Sequence, residues 1–129
     1  MEDNANFTYS RAEKLKSKKL FEKLFAEGKS LMHYPLRMVY VQTEATQDVA
    51  IKAGVTVSKR KFKSAVQRNR IKRVLREAYR LNKAIVFNNS QANYALLIMY
   101  LGKEMPESAQ VHKAMVQLLG KFKDKIAEH

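Results

Sequence analysis

The sequence predicts an α+β fold, a small mixed sheet packed with helices in the order α-β-β(-β)-α-β-α, on three observations. Two segments, one around Phe21 and one around Ile71, repeat apolar residues at helical spacing. VAIKAGVTVS (Val49 to Ser58) sets Ile51, Ala53, Val55 and Val57 against Lys52, Gly54 and Thr56, the two-residue period of a half-buried strand. YALLIMYL (Tyr94 to Leu101) is an unbroken apolar run of strand length, as expected of a strand covered on both faces.

Residues 1 to 10, MEDNANFTYS, read as a disordered polar tail ahead of one domain over 11–129. LKSKKLFEKLFAEGK then places Leu20, Phe21, Leu24 and Phe25 on one helical face, with Gly28 as the stop and Lys14, Lys16, Lys18, Lys19 and Lys23 around it. LRMVYVQT (Leu36 to Thr43) has the β-branched and aromatic character of a strand, and EATQD reads as a hairpin connection to the next one. Asn88, Asn89 and Ser90 mark a loop before Tyr94. Pro106 precedes ESAQVHKAMVQLLGKFKDKI, where Val111, Met115, Leu118, Leu119 and Phe122 recur at helical spacing. Gly120 weakens that last helix by about 1 kcal/mol without ending it.

The long middle helix carries the functional signal. Lys59 to Arg80, KRKFKSAVQRNRIKRVLREAYR, holds ten Lys or Arg residues and one acid, Glu77. Of the chain's 25 basic and 12 acidic residues this leaves fifteen and eleven over the other 107 positions, so the net charge of +13 is concentrated here. On a helix, Ile71, Val74, Leu75, Ala78 and Leu81 share an apolar arc, and Arg68, Lys72, Arg76, Arg80, Arg73 and, further round, Arg70 share a basic one. An ordinary solvated helix face interleaves acids with its bases at three- and four-residue spacing. Here only Arg73 and Arg80 have Glu77 as such a neighbour. At roughly 1.5 Å per residue, Arg68 to Arg80 spans about 18 Å, several consecutive phosphates of a nucleic acid.

Composition narrows the alternatives. An apolar fraction of 46% with six Phe and six Tyr suits a packed globule, and +13 calls for an anionic partner. The absence of Cys excludes disulfides and thiolate metal sites. The polar, acidic opening lacks the apolar core of a signal peptide, and no apolar run reaches the roughly 20 residues of a membrane span, so a cytoplasmic protein with no membrane partner is expected. The twelve acids are scattered, and His33, His112 and His129 lack metal-ligand spacing. With no phosphate loop or nucleophile motif either, a nuclease site on the polypeptide is not expected.

AVQRNRIKRVLREAYR resembles the RNR motif of the bacterial ribonuclease P protein family. LFEKLFAEGKS is similar to that family's first helix and turn, IKAGVTVSK to the strand entering the basic helix, and YALLIMY to its last strand. The resemblance covers most of the chain. It implies a small accessory to a catalytic RNA subunit that removes the 5′ leader from precursor tRNA, with catalysis in the RNA. It also implies a left-handed crossover for the strand, basic helix and strand, against the usual right-handed rule.

Carried over by residue, the RNA-subunit contacts are Arg68, Asn69, Arg70, Lys72, Arg73 and Arg76, with Lys59 and Arg60 ahead of the helix. The leader-binding cleft is Phe21, Phe25 and Tyr40. No catalytic residue, metal ligand or cofactor is expected on the protein, Mg²⁺ acts through the RNA subunit, and no DNA partner is implied.

Physical chemistry suits both assignments. An arginine fork can grip phosphate oxygens through two parallel hydrogen bonds, whereas Lys72 acts as a point charge. Asn69 either bonds RNA or satisfies a nearby backbone group. Aromatic rings hold bases regardless of sequence at about 1–3 kcal/mol per base, although a Phe pair on an amphipathic helix is more often core. Many family members place two lysines, one residue and a glycine ahead of the basic helix. Here SKRKFKSAV is one residue longer and has no glycine, so the resemblance does not set the path of Lys59 to Ser64. A general RNA-binding or ribosome-associated protein, with equal use for a basic helix, is the alternative function.

Overall fold

The computed structural model describes residues 13–43, 51–87 and 92–127; the tail expected over 1–10 and the EATQD connection lie outside them. The elements are α1 (Lys18–Glu27), β1 (Lys29–His33), β2 (Leu36–Thr43), β3 (Ile51–Val57), α2 (Ala65–Asn82), α3 (Ala84–Phe87), β4 (Asn93–Tyr100) and α4 (Ser108–Ile126). The four strands form one sheet in the order β1-β2-β4-β3.

Local chemistry sets the helix ends. Ser17 Oγ accepts the Leu20 N–H at 3.3 Å to start α1, and Ser64 Oγ accepts the Gln67 N–H at 3.3 Å to start α2, each satisfying a donor that the first turn leaves free. At the end of α1 the Gly28 N–H donates to the Leu24 carbonyl. A Cβ at Gly28 would lie 2.3 Å from that carbonyl oxygen and 2.5 Å from Val39 Cγ1, so the helix can end against β2 only with a glycine there. Gly120 faces open space, and α4 runs through it unbroken.

The expected hairpin between the second and third strands does not form, because β4 inserts between them, antiparallel to β2 and parallel to β3. Its unbroken apolar sequence suits that central place, since both of its edges are paired and both of its faces covered. The tight connection is instead β1–β2, through Tyr34 and the cis-bonded Pro35. β1 supplies the optional extra strand of the expected order; KSLMH has no clean alternation to announce it. With β3 and β4 parallel and adjacent, α2 is the crossover that joins them.

Strand alternation gives the sheet two unequal faces. On one, Met38, Tyr40, Ile51, Ala53, Leu96 and Ile98 pack under Ile71, Leu75, Ala78 and Tyr79 of α2 and Val111, Met115, Leu118 and Phe122 of α4. On the other, a smaller cluster of Leu15, Leu24, Val41, Ala95 and Leu97, edged by Leu20, Phe21 and Val39, seats α1. The chain before α1 is tied down twice. The Leu15 N–H donates to the Ala53 carbonyl at 3.0 Å, and Glu13 forms a buried ion pair with Lys83 just past α2. No described helix is long and apolar enough to cross a membrane.

Candidate nucleic-acid interface

The core grips α2 along Ile71, Leu75, Ala78 and Tyr79, which leaves the opposite arc in solvent. Arg70, Arg73 and Arg76 are exposed and Lys72 half-buried, and none has a hydrogen bond or carboxylate partner among the described residues. Arg80 differs. Its Nε and Nη2 both donate to Glu77, which holds that carboxyl below its usual range and raises the guanidinium, so this end of the helix is locally neutral. Asn69 is exposed, with no side-chain hydrogen bond among the described residues.

Arg68 corrects the expectation of a uniform basic row. It is half-buried, and its Nη1 donates to the carbonyls of Phe62 at 2.7 Å and Lys63 at 3.0 Å. The signal was present in the sequence. Leu75 and Tyr79 lie seven and eleven residues on, within about 20° of the same angular position, so Arg68 stands on the arc that faces the core. Counting Tyr79 among the apolar residues would have exposed this.

The preceding loop takes a defined path without a glycine. Ser58 Oγ accepts the N–H groups of Arg60 and Lys61 at 3.2 and 3.3 Å, and the Phe62 N–H donates to the Ser58 carbonyl at 3.1 Å. The buried Phe62 ring packs 6.0 Å from that of Tyr100. Lys61 Nζ, on the surface, donates to the Leu101 carbonyl at 2.8 Å, so Lys61 is exposed but engaged. Lys59, Arg60 and Lys63 remain exposed beside the first turn of α2.

Phe21, Phe25 and Tyr40 do not form one platform. Tyr40 shares its strand parity with Met38 and lies on the α2–α4 face, 8% exposed, its ring centroid 5.0 Å from Phe122 and 6.4 Å from Tyr94. The β2 residues that face α1 are Val39 and Val41. Burial pushes the Tyr94 hydroxyl above its usual pKa, and Tyr40 and Tyr94 edge a cavity of about 90 Å³ with Glu27, Lys29 and Gln42. Phe25 is 77% exposed on α1, and Phe21 is half-buried at the rim of the smaller core.

Phe21 does open onto a groove of about 160 Å³, lined also by Lys14, Leu15, Lys16, Ala53, Gly54, Val55 and Arg76. β3 is an edge strand, so Arg76 reaches this groove from α2 past that edge. Lysines from the chain before α1, an aromatic edge and an arginine from α2 thus line one trough. At Gly54 an added Cβ would stand 3.2 Å from Leu15 Cβ and narrow its floor. Spacing within single elements cannot show that residues 14–16 lie beside β3.

The model of the Ribonuclease P family matches residues 9–123. The chain belongs to that family. It is 36% identical over 122 residues to the ribonuclease P protein component of Porphyromonas gingivalis strain ATCC 33277, covering 92% of this chain and 89% of that one. The Thermotoga maritima component is 33% identical over 79 residues, 61% of this chain and 64% of that one. Among solved structures, the Staphylococcus aureus RNase P protein superposes with a TM-score of 0.67 at 20% identity, covering 91% of this chain and 96% of that one. The T. maritima RNase P protein superposes with 0.68 at 23%, covering 84% and 96%. The fold is that of the ribonuclease P proteins.

Membership makes the chain the accessory subunit of the tRNA-processing ribonuclease P, working with the RNA subunit in removal of the 5′ leader. Among the described residues no group of three or more His, Asp or Glu side chains stands close enough to hold a metal ion. The described surface carries a cationic arc on α2 and a cationic, aromatic-edged groove.

Proposed function

We propose that the solvent arc of α2 binds the RNA subunit of ribonuclease P through Arg70, Lys72, Arg73 and Arg76, joined by Lys59, Arg60 and Lys63 from the loop. The groove between the residues before α1 and β3 then holds the single-stranded 5′ leader of precursor tRNA. The observation that carries this reading is the set of guanidinium groups without carboxylate partners among the described residues, fixed on a helix whose other side is anchored in the core. Placing such charge on one face costs stability through self-repulsion and is offset when phosphates arrive.

In the groove, Phe21 offers a ring edge for a base while Lys14, Lys16 and Arg76 meet its phosphates, a combination that holds single strands without reading sequence. Phe25, further along the same helix, extends the apolar path. Arg76 lies on both surfaces and would link leader and RNA subunit. Bond cleavage and the Mg²⁺ it needs stay with the RNA, and the cytoplasm, where precursor tRNA is made, is the compartment this reading implies.

Reconstitution tests the proposal. The RNA subunit alone, the protein alone and the two together are given precursor tRNA over a Mg²⁺ series. The expected result is no cutting by the protein alone and a lower Mg²⁺ requirement for the pair than for the RNA. Cleavage by RNA-free protein, or an unchanged Mg²⁺ requirement, would overturn it. A general RNA-binding protein would show equal affinity for the RNA complexed with mature tRNA and with leader-bearing tRNA.

A further inference from the structure

We infer that Arg68 is a positioning residue, which shapes the loop between β3 and α2 so that Lys59, Arg60 and Lys63 meet RNA together, rather than a phosphate ligand itself. The inference rests on the proposed RNA-facing role of that loop. It goes further in assigning the first arginine of the RNR stretch to the protein's own backbone.

Three observations carry it. Arg68 Nη1 donates to two successive carbonyls, Phe62 at 2.7 Å and Lys63 at 3.0 Å, where the chain turns into α2. Hydrogen bonds from a charged donor are roughly twice as strong as neutral ones, and a phosphate that claimed Nη1 would take that donor from both carbonyls, the part-buried one of Phe62 included. Second, the side chain leaves α2 on the arc of Leu75 and Tyr79, and the exposed arginines leave from the other side. Third, the loop has no glycine and, beyond its turn at Ser58, is held from side chains at three points: Phe62 under Tyr100, Lys61 on the Leu101 carbonyl, and Arg68 on the carbonyls of 62 and 63. Around those points Lys59, Arg60 and Lys63 are exposed, with no side-chain partner among the described residues. Without the Arg68 point the end of the loop that carries Lys63 is released from α2, and only the turn at Ser58 holds Lys59 and Arg60, which raises the ordering cost when RNA binds.

The test measures affinity of the whole protein for the ribonuclease P RNA subunit across a KCl series. It compares four forms: wild type, Arg68→Ala, the triple variant Lys59→Ala, Arg60→Ala, Lys63→Ala, and the variant with all four changes. A positioning residue predicts that Arg68→Ala flattens the salt slope by more than one contact in the wild-type background, at about 0.7–0.9 per contact, and adds nothing in the triple background. Loss of one contact in both backgrounds, or no loss in either, overturns the inference and leaves the RNA-facing reading of the loop standing. A triple variant with the wild-type slope instead overturns that reading, and this inference with it.

Should Arg68→Ala not fold, guanidinium ¹⁵N–¹H spectra of the unmutated protein decide the matter. Arg68 should exchange slowly with solvent when free and hold its shifts on saturation with the RNA subunit while Arg70 moves. Arg68 exchanging and moving as Arg70 does would overturn the inference.

Discussion

The two faces of the sheet differ in how much they are closed. Under α2 and α4, strands and helices interdigitate in a continuous apolar layer that includes the rings of Tyr40, Tyr94 and Phe122. Under α1, a handful of aliphatic residues seat one ten-residue helix, and a groove is left beside it. The comparison teaches a division of labour. The thick face makes a rigid rod of α2, so that its outer arginines keep a fixed spacing, while the thin face leaves backbone and aromatic edge within reach of a single strand.

The largest effect should come where the two faces are joined. Lys83→Met leaves the buried Glu13 carboxylate without its cation, and loss of one partner of a buried pair costs roughly 3–5 kcal/mol, read as a drop in the thermal or denaturant midpoint. Adding Glu13→Leu should restore most of that loss. A double variant as unstable as the single would show that the tie acts through something other than charge pairing.

Next, Leu75→Ala on the thick face should cost about 2–5 kcal/mol, because the side chain is fully buried beneath α2 and a cavity replaces it. Binding to the RNA subunit should weaken only in proportion to the unfolded fraction. Phe21→Ala on the thin face should act in the opposite sense, removing about 1–3 kcal/mol of affinity for leader-bearing substrate with assembly of the subunits intact. A stability loss as large as that of Leu75→Ala would make Phe21 a core residue and erase the contrast. The smallest effect belongs to Phe25→Ala, within about 0.5 kcal/mol in stability because the ring is mostly in solvent, with any change confined to leader affinity.

Legibility followed the same division. α2 was readable because a strong 3.6-residue period and a one-sided charge pattern fall on the same eighteen residues, Ala65–Asn82. β4 announced itself by a run too apolar for any but a central strand. Its insertion between β2 and β3 was not readable, because adjacency in sequence favours the hairpin and nothing local opposes it. The face that Tyr40 takes was not readable either. Met38 and Tyr40 point one way and Val39 and Val41 the other, but a strand apolar on both faces does not say which face receives α1. Arg68 was misread by residue type, since its angular position on the helix already placed it with the core. The groove and the Glu13–Lys83 pair join residues distant in sequence, and only the folded chain brings these together.

Phosphate contacts by the outer arc of α2 are the central expectation. The direct measurement is the salt dependence of RNA-subunit affinity for wild type and for the combined variant Arg70→Ala, Arg73→Ala, Arg76→Ala, whose fold the exposed positions should spare. The predicted result is a slope of log affinity against log salt shallower by about 2–3, near 0.7–0.9 for each arginine removed. Parallel lines for the two proteins would contradict it.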